Sequence, residues 1–219
     1  MPVAENADIV LYHAPRSRAF RMLWFLEELG RPYKIEAIDL EKGDHKKPYF
    51  LALNPMGKVP VVIDQGVVIA ETGAMMVHLA DKYSPGELAP LFKEPKRADY
   101  LKWMFFAAGV MEPAFGEKFF KWGDIPSRRA AWGSFASMEE TTVAGMKAGG
   151  PWLLGDQFSG ADVFVASNLH WGLMSELFPK EGVIADYVAR CAARPALKRA
   201  LAMEEGFIKA KEAATEAQA

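Results

Sequence analysis

Between residues 8 and 83 the chain alternates strand-like with helix-like stretches, and beyond Pro95 nothing reads as a strand. That change of character restricts the chain to an α/β domain followed by an all-helical one. Residues 8–12 form a compact apolar run suited to a buried strand. Residues 17–29 are rich in helix formers and stop at Gly30, and residues 33–38 alternate apolar with polar side chains. Strand, helix and strand in so short a span imply a right-handed parallel crossover. After a polar, proline-containing connection, two β-branched runs at 59–63 and 67–70 flank Asp64-Gln65-Gly66 as a hairpin, and 71–83 returns to helical spacing.

The Pro- and Gly-containing stretch after Tyr83 punctuates the pattern. It sets expected boundaries of 1–84 for the α/β domain, 85–94 for a linker and 95–219 for the helical domain. Within the last, helices are expected at 96–121, 126–148, 159–174, 183–194 and 195–207, with Gly149-Gly150-Pro151 separating two of them and the final dozen residues frayed. Ser159 and Asp162 have the spacing of a capping box, a folding role rather than a catalytic one.

Composition narrows the function classes. A hydrophobic share of 51% is that of a globular chain, and a net charge of -2 gives no electrostatic reason to expect nucleic acid or an acidic membrane as partner. The single cysteine, Cys191, allows neither an internal disulfide nor a CxxC redox pair. His13, His45, His78 and His170 are too scattered for a local metal motif, so no metal is expected. No GxGxxG, P-loop or HExxH pattern is present. Neither a secretory signal nor a membrane-spanning run is visible, so a soluble, cytoplasmic protein is expected.

Five segments carry a family resemblance. The run from Leu11 to Arg21, reading LYHAPRSRAFR, resembles the strand-loop-helix entry of glutathione S-transferases with serine or cysteine at the catalytic position. Asn54-Pro55-Met56-Gly57-Lys58-Val59-Pro60 is similar to the family's N-P-x-G-x-V-P segment, and Ile69-Ala70-Glu71-Thr72-Gly73-Ala74 to its E-S-x-A turn. Phe158-Ser159-Gly160-Ala161-Asp162-Val163 resembles its S/T-x-A-D capping segment, and Arg190 to Ala196 its R-x-x-x-R-P turn. The resemblance covers nearly the whole chain. It implies a thioredoxin-like N-terminal domain of order βαβ-α-ββα, an all-α C-terminal bundle and a two-fold homodimer. Glutathione is the implied co-substrate, and the implied activity is its transfer to small apolar electrophiles in detoxification.

The resemblance also implies roles for particular residues. A cis bond at Val59-Pro60 would turn the backbone of Val59 outward, where the cysteinyl unit of an extended peptide can pair with it. A trans proline opening an edge strand is the plain alternative. Glu71 would take the γ-glutamyl ammonium, with Thr72 and the helix N-terminus taking the carboxylate; ordinary capping by Thr72 is compatible with both. Lys58 and His45 either reach the glycyl carboxylate or are plain surface.

Ser17 is the candidate catalytic residue. Ionising a thiol of pKa ~8.5 at neutral pH requires a shift of ~2 units, roughly 2.7 kcal/mol. One hydroxyl hydrogen bond to an anion supplies ~1.5–3 kcal/mol. Ser17 would donate that bond without becoming a nucleophile. Its plain alternative is a helix N-cap, but Arg21 four residues on matches the S-x-x-x-R entry of serine-type members. Tyr12 is the competing phenol donor, with core packing as its default.

In the helical domain, Met104, Phe105, Ala108 and Met111 give the first helix a soft face, which is either core or the wall of an electrophile pocket. A peroxidase, lyase or isomerase, or a non-catalytic ligand carrier on the same fold, is the rival reading.

Overall fold

The computed structural model describes residues 7–123 and 125–216, without the side chains of 214 and 215. The described residues fall into two compact units, one from Met1–Leu79 with Arg194–Ala219 and one from Ala80–Ala193.

The first unit is built on β1 (Ile9–His13), α1 (Ala19–Leu29), β2 (Tyr33–Ala37), α2 (Pro48–Leu53), β3 (Val61–Asp64) and β4 (Val67–Ile69), with α3 (Thr72–Tyr83) following. The sheet order is β2-β1-β3-β4, with β1 parallel to β2 and antiparallel to β3. This is the thioredoxin-like order expected from the sequence. Gln65 and Gly66 both take positive φ (50° and 83°) and close the β3–β4 hairpin where Asp64 faces Val67. That is what a tight two-residue hairpin turn demands. Along β1, Ile9, Leu11 and His13 are buried on one face. On the other, Tyr12 joins Val59, Leu40 and Leu53 around buried Ala14, Ile38, Phe50 and Val61.

Helix α1 is buried on nearly every side, including Arg21 and Glu27. A helix hidden all round needs cover on the face away from the sheet. That cover is α9 (Pro195–Glu216), which packs along α1. Arg194, from the Arg-Pro motif, forks onto Glu28 at 2.6 and 2.7 Å, and Arg199 bonds both the carboxylate and the carbonyl of Glu27. Tyr33 donates to the other oxygen of Glu27 at 2.7 Å. Burial, then that bond, pushes the Tyr33 phenol far above its ordinary pKa. Glu27 is thereby a buried charge with every oxygen engaged, the condition under which such a charge is tolerated. The helix expected at 195–207 is thus longer, continuing through the segment expected to fray; residues 217–219 lie outside the described residues.

The second unit holds α4 (Lys96–Phe106), α5 (Glu112–Phe120), α6 (Phe135–Gly149), α7 (Gly160–Met174) and α8 (Val183–Ala192). The single helix expected over 96–121 is interrupted by a π-helical turn at Ala107–Met111. Pro113 explains it: a proline has no N–H for the carbonyl four residues back and crowds that carbonyl, so the ladder widens ahead of it. Asn168, wholly buried on α7, donates to the Ala107 carbonyl at 3.0 Å. The helix expected from 126 begins only at Phe135, because Gly133 (φ 76°) ends a run of turns and Ser134 caps the new start by accepting from Ser137 N–H. The capping box at the start of α7 is present as expected.

Among the described residues, no helix is long and apolar enough to cross a membrane.

Candidate functional site

Strand pairing decides which chain segments meet. Tyr12 on β1 pairs with Val61 at the start of β3, His13 pairs with Ala37 at the end of β2, and Val62 pairs with Ile69 at the end of β4. The turn after β1, the loop before β3 and the turn after β4 therefore share one end of the sheet. Ser17, Lys58-Val59-Pro60 and Glu71-Thr72, far apart in sequence, come together there. It is the carboxyl end of the parallel pair, the edge at which open α/β sheets bind ligands.

Each segment is held in place locally. In the turn after β1, Ser17 Oγ donates to the Ala14 carbonyl at 2.6 Å and accepts from Ala19 N–H at 3.1 Å. Arg18 occupies the cap position of α1 without a side-chain cap bond. Ser17 thus precedes the cap and braces the turn at the positive end of the helix, half-exposed. Before β3, the Val59-Pro60 bond is cis. Buried Asn54 organises that loop: its Nδ2 donates to the Lys58 carbonyl at 2.8 Å and its Oδ1 accepts from Met56 N–H at 3.1 Å. Gly57 (φ 60°) admits no side chain, since a Cβ would meet the His45 carbonyl and Lys46 Nζ, each at 2.8 Å. His45 therefore lies beside this loop, in the helical turn Asp44–Lys46, with its Nδ1 buried and without a hydrogen-bond partner among the described residues. Lys58 is exposed.

After β4, Glu71 sits at φ 69°. Helix α3 begins at Thr72, so Glu71, and not Thr72, occupies the cap position. A glutamate in the left-handed region is strained, and such strain gathers where a site requires a side chain in one place. Tyr12 lies half-buried with its ring edge-on to Phe50 at 5.9 Å. Burial first, then Glu36 and Tyr49, raises its pKa and makes it a weaker acid than an ordinary phenol.

Residues 7–81 match the family model of the glutathione S-transferase N-terminal domain. Glutathione S-transferase 3 of Schizosaccharomyces pombe is 37% identical over 105 residues, which cover 48% of this chain and 43% of that protein. A solved glutathione transferase from Methylococcus capsulatus superposes with a TM-score of 0.75 at 29% identity, over 90% of this chain and 98% of that one.

Residues 7–81 are thus identified as a glutathione S-transferase N-terminal domain.

Another relative within reach is the disulfide-bond oxidoreductase YfcG of Escherichia coli, 31% identical over 116 residues, 50% of this chain and 53% of that protein. The chain spans about half the length of these curated relatives. The family's N-P-x-G segment gains a physical explanation here, because Asn54 and Gly57 shape the loop that presents Val59. Replacing Asn54 with Ala removes its bonds to the Lys58 carbonyl and Met56 N–H, and a loss of about 1 kcal/mol in unfolding free energy is expected by denaturant titration.

In the second unit, Met104 and Met111 are buried in its interior, whereas Phe105 is 73% exposed and Ala108 is also at the surface. Two residues near the strand-end site were given no role of their own in the sequence reading. Asn54 was visible only as part of a motif. Glu204, on α9, accepts from Arg16 N–H at 2.6 Å across 188 positions, a separation no local pattern encodes. Among the described residues no cluster of His, Cys, Asp and Glu is arranged to hold a metal ion.

Proposed function

We propose that this chain binds glutathione at the strand-end site and stabilises its thiolate for attack on a small apolar electrophile. The observation that carries this is the convergence, by strand register, of the Ser17 hydroxyl, the Val59 backbone and the Glu71-Thr72 turn at one end of the sheet. The three supply what a short extended peptide with two charged ends and a thiol requires. Val59 offers strand-like backbone pairing to the cysteinyl unit. Glu71 pairs with the γ-glutamyl ammonium, while Thr72 and the N-terminus of α3 take the adjacent carboxylate. Lys58 and His45 flank the glycyl end.

In catalysis the glutathione thiol releases its proton to solvent. The Ser17 hydroxyl turns from the Ala14 carbonyl to donate to the sulfur anion, while Oγ keeps the Ala19 N–H. The thiolate then attacks the electrophilic carbon, a C–S bond forms, and the displaced group leaves with the bonding electrons. The likeness to the oxidoreductase favours a second reading, in which the same thiolate attacks a disulfide. Cys191 is 1% exposed, so glutathione itself would have to supply the reacting sulfur.

Calorimetric titration with glutathione, followed by product analysis with a chloronitrobenzene and with a low-molecular-weight disulfide, tests the proposal. A conjugate supports transfer; mixed-disulfide turnover without conjugate supports the second reading; absence of glutathione binding removes both. Glu71→Gly sharpens the test. It relieves the left-handed strain, so unfolding free energy should rise by up to about 1 kcal/mol. It also deletes the charged partner of the ammonium, so glutathione affinity should fall about 10–100-fold. Undiminished affinity would remove Glu71 from the site.

A further inference from the structure

We propose that Glu204 on α9 is a positioning residue that sets the β1–α1 turn, and through it the Ser17 hydroxyl, by holding the Arg16 N–H. The proposal rests on the reading of Ser17 as the thiolate donor.

A single buried carboxylate spans the turn. Its Oε1 accepts from Arg16 N–H at 2.6 Å, and its Oε2 lies 2.9 Å from Nε2 of His13. His13 is the last residue of β1 and is wholly buried; Arg16 immediately precedes Ser17. Glu204 thus holds one end of the Ala14-Pro15 step and lies against the other, and the carbonyl of that step, at Ala14, receives the Ser17 hydroxyl. Arg16 has φ 57°, a conformation that residues with side chains adopt only when the surroundings impose it. The bond to Glu204 is such an imposition, because it fixes where the Arg16 N–H must point. Two further contacts from α9 bear on the same turn. The Phe207 ring lies 5.1 Å from the His13 ring, and Glu212 meets the exposed Arg16 guanidinium at 3.0 Å. The helix does not depend on the turn for its own placement, since Arg194 and Arg199 tie it to Glu28 and Glu27 of α1. Glu204 therefore acts from a fixed base.

A carboxylate retained only to place a charge beside buried His13 would serve by that charge. One that sets the turn serves by the reach of an oxygen to the Arg16 N–H. The two roles predict opposite orders for two conservative variants. Glu204→Gln keeps an oxygen at the same reach and loses the charge; Glu204→Asp keeps the charge and withdraws the oxygen.

The test is a pH titration of the ultraviolet thiolate absorbance of bound glutathione in wild type, Ser17→Ala, Glu204→Ala, Glu204→Gln, Glu204→Asp and the Ser17→Ala/Glu204→Ala double variant, with melting temperatures alongside. Glu204→Ala is expected to lower the thiolate fraction at neutral pH about tenfold, the scale of a small misplacement of a catalytic group. Glu204→Asp should resemble it, and Glu204→Gln should restore most of the signal. The double variant should lose no more than Ser17→Ala alone, because Glu204 acts through Ser17. Asp restoring better than Gln, or losses that multiply in the double variant, would overturn the proposal. So would an unmoved titration in Glu204→Ala beside a shifted one in Ser17→Ala. A Ser17→Ala titration equal to wild type removes the reading of Ser17 itself, and this proposal with it. If Glu204→Ala does not fold, the order of Gln and Asp decides.

Discussion

Ser17→Ala is expected to lower kcat/KM for conjugation by about 10–100-fold while leaving glutathione affinity within a few-fold of wild type. The reasoning is one of differential stabilisation. The hydroxyl bonds the sulfur anion more strongly than the neutral thiol, so its loss returns the thiol toward its ordinary pKa and shrinks the reactive fraction. In the proposed reading the backbone of Val59 and the Glu71-Thr72 turn hold the peptide whether or not the sulfur is ionised. The variant also loses the Oγ bond to Ala19 N–H, a helix-start contact of about 1 kcal/mol, too small to unfold the domain. Tyr12→Phe provides the contrast. Its ring keeps the edge-on packing against Phe50, and the phenol it removes is already held above its ordinary pKa by burial. Little change is expected. Steady-state kinetics with a chloronitrobenzene decide between them: a loss in Tyr12→Phe and none in Ser17→Ala would transfer the donor role to the phenol.

The largest effect on stability is expected for Asp162→Ala, at about 3–5 kcal/mol by urea unfolding. This carboxylate is wholly buried and receives four donors. Leu153 N–H and Tyr187 O–H reach Oδ1 at 2.9 and 2.6 Å; Ser159 N–H and Oγ reach Oδ2 at 2.8 and 3.0 Å. Burial raises its pKa against these bonds, which lower it. Truncation leaves four buried donors without an acceptor, and unmet donors in the interior cost more than the bonds contribute when made. Domains carry only about 5–15 kcal/mol in all, so the variant should sit near the threshold of folding. Asp162→Asn should recover part of the loss, since one oxygen remains while its amide opposes the other donors. A cost below about 1 kcal/mol in Asp162→Ala would show that the second unit does not depend on this junction.

Much of this was legible along the chain, and the particular residues show why. The capping box of Ser159 and Asp162, the Gln65-Gly66 turn and the crossover from β1 to β2 all rest on contacts between near neighbours, which leave a periodic or positional trace. The site segments were legible as motifs at Ser17, Asn54 to Pro60, and Glu71-Thr72. The single helix expected over 96–121 stays helical to Phe120 but passes through a π-helical turn at 107–111 ahead of Pro113, where the apolar pattern continues but one bond of the ladder is lost. The helix expected from 126 failed because Gly133 and Ser134 are local stop and start signals within a run whose composition is otherwise permissive.

By itself, then, the sequence determined the order of strands and helices, the two-part character of the chain and the residue types brought to the candidate site. These follow from backbone preferences and side-chain periodicity, which act over a few residues. Tertiary structure alone decided that those residue types meet at one end of a sheet, since pairing of β1 with β2 and β3 is a register choice among distant segments. It alone decided that α9 covers α1, that Glu27 and Glu28 find Arg199 and Arg194, and that Glu204 holds the turn before Ser17. A buried carboxylate must be paired, but the chain does not state locally which distant donor closes the pair; only packing brings that donor within reach.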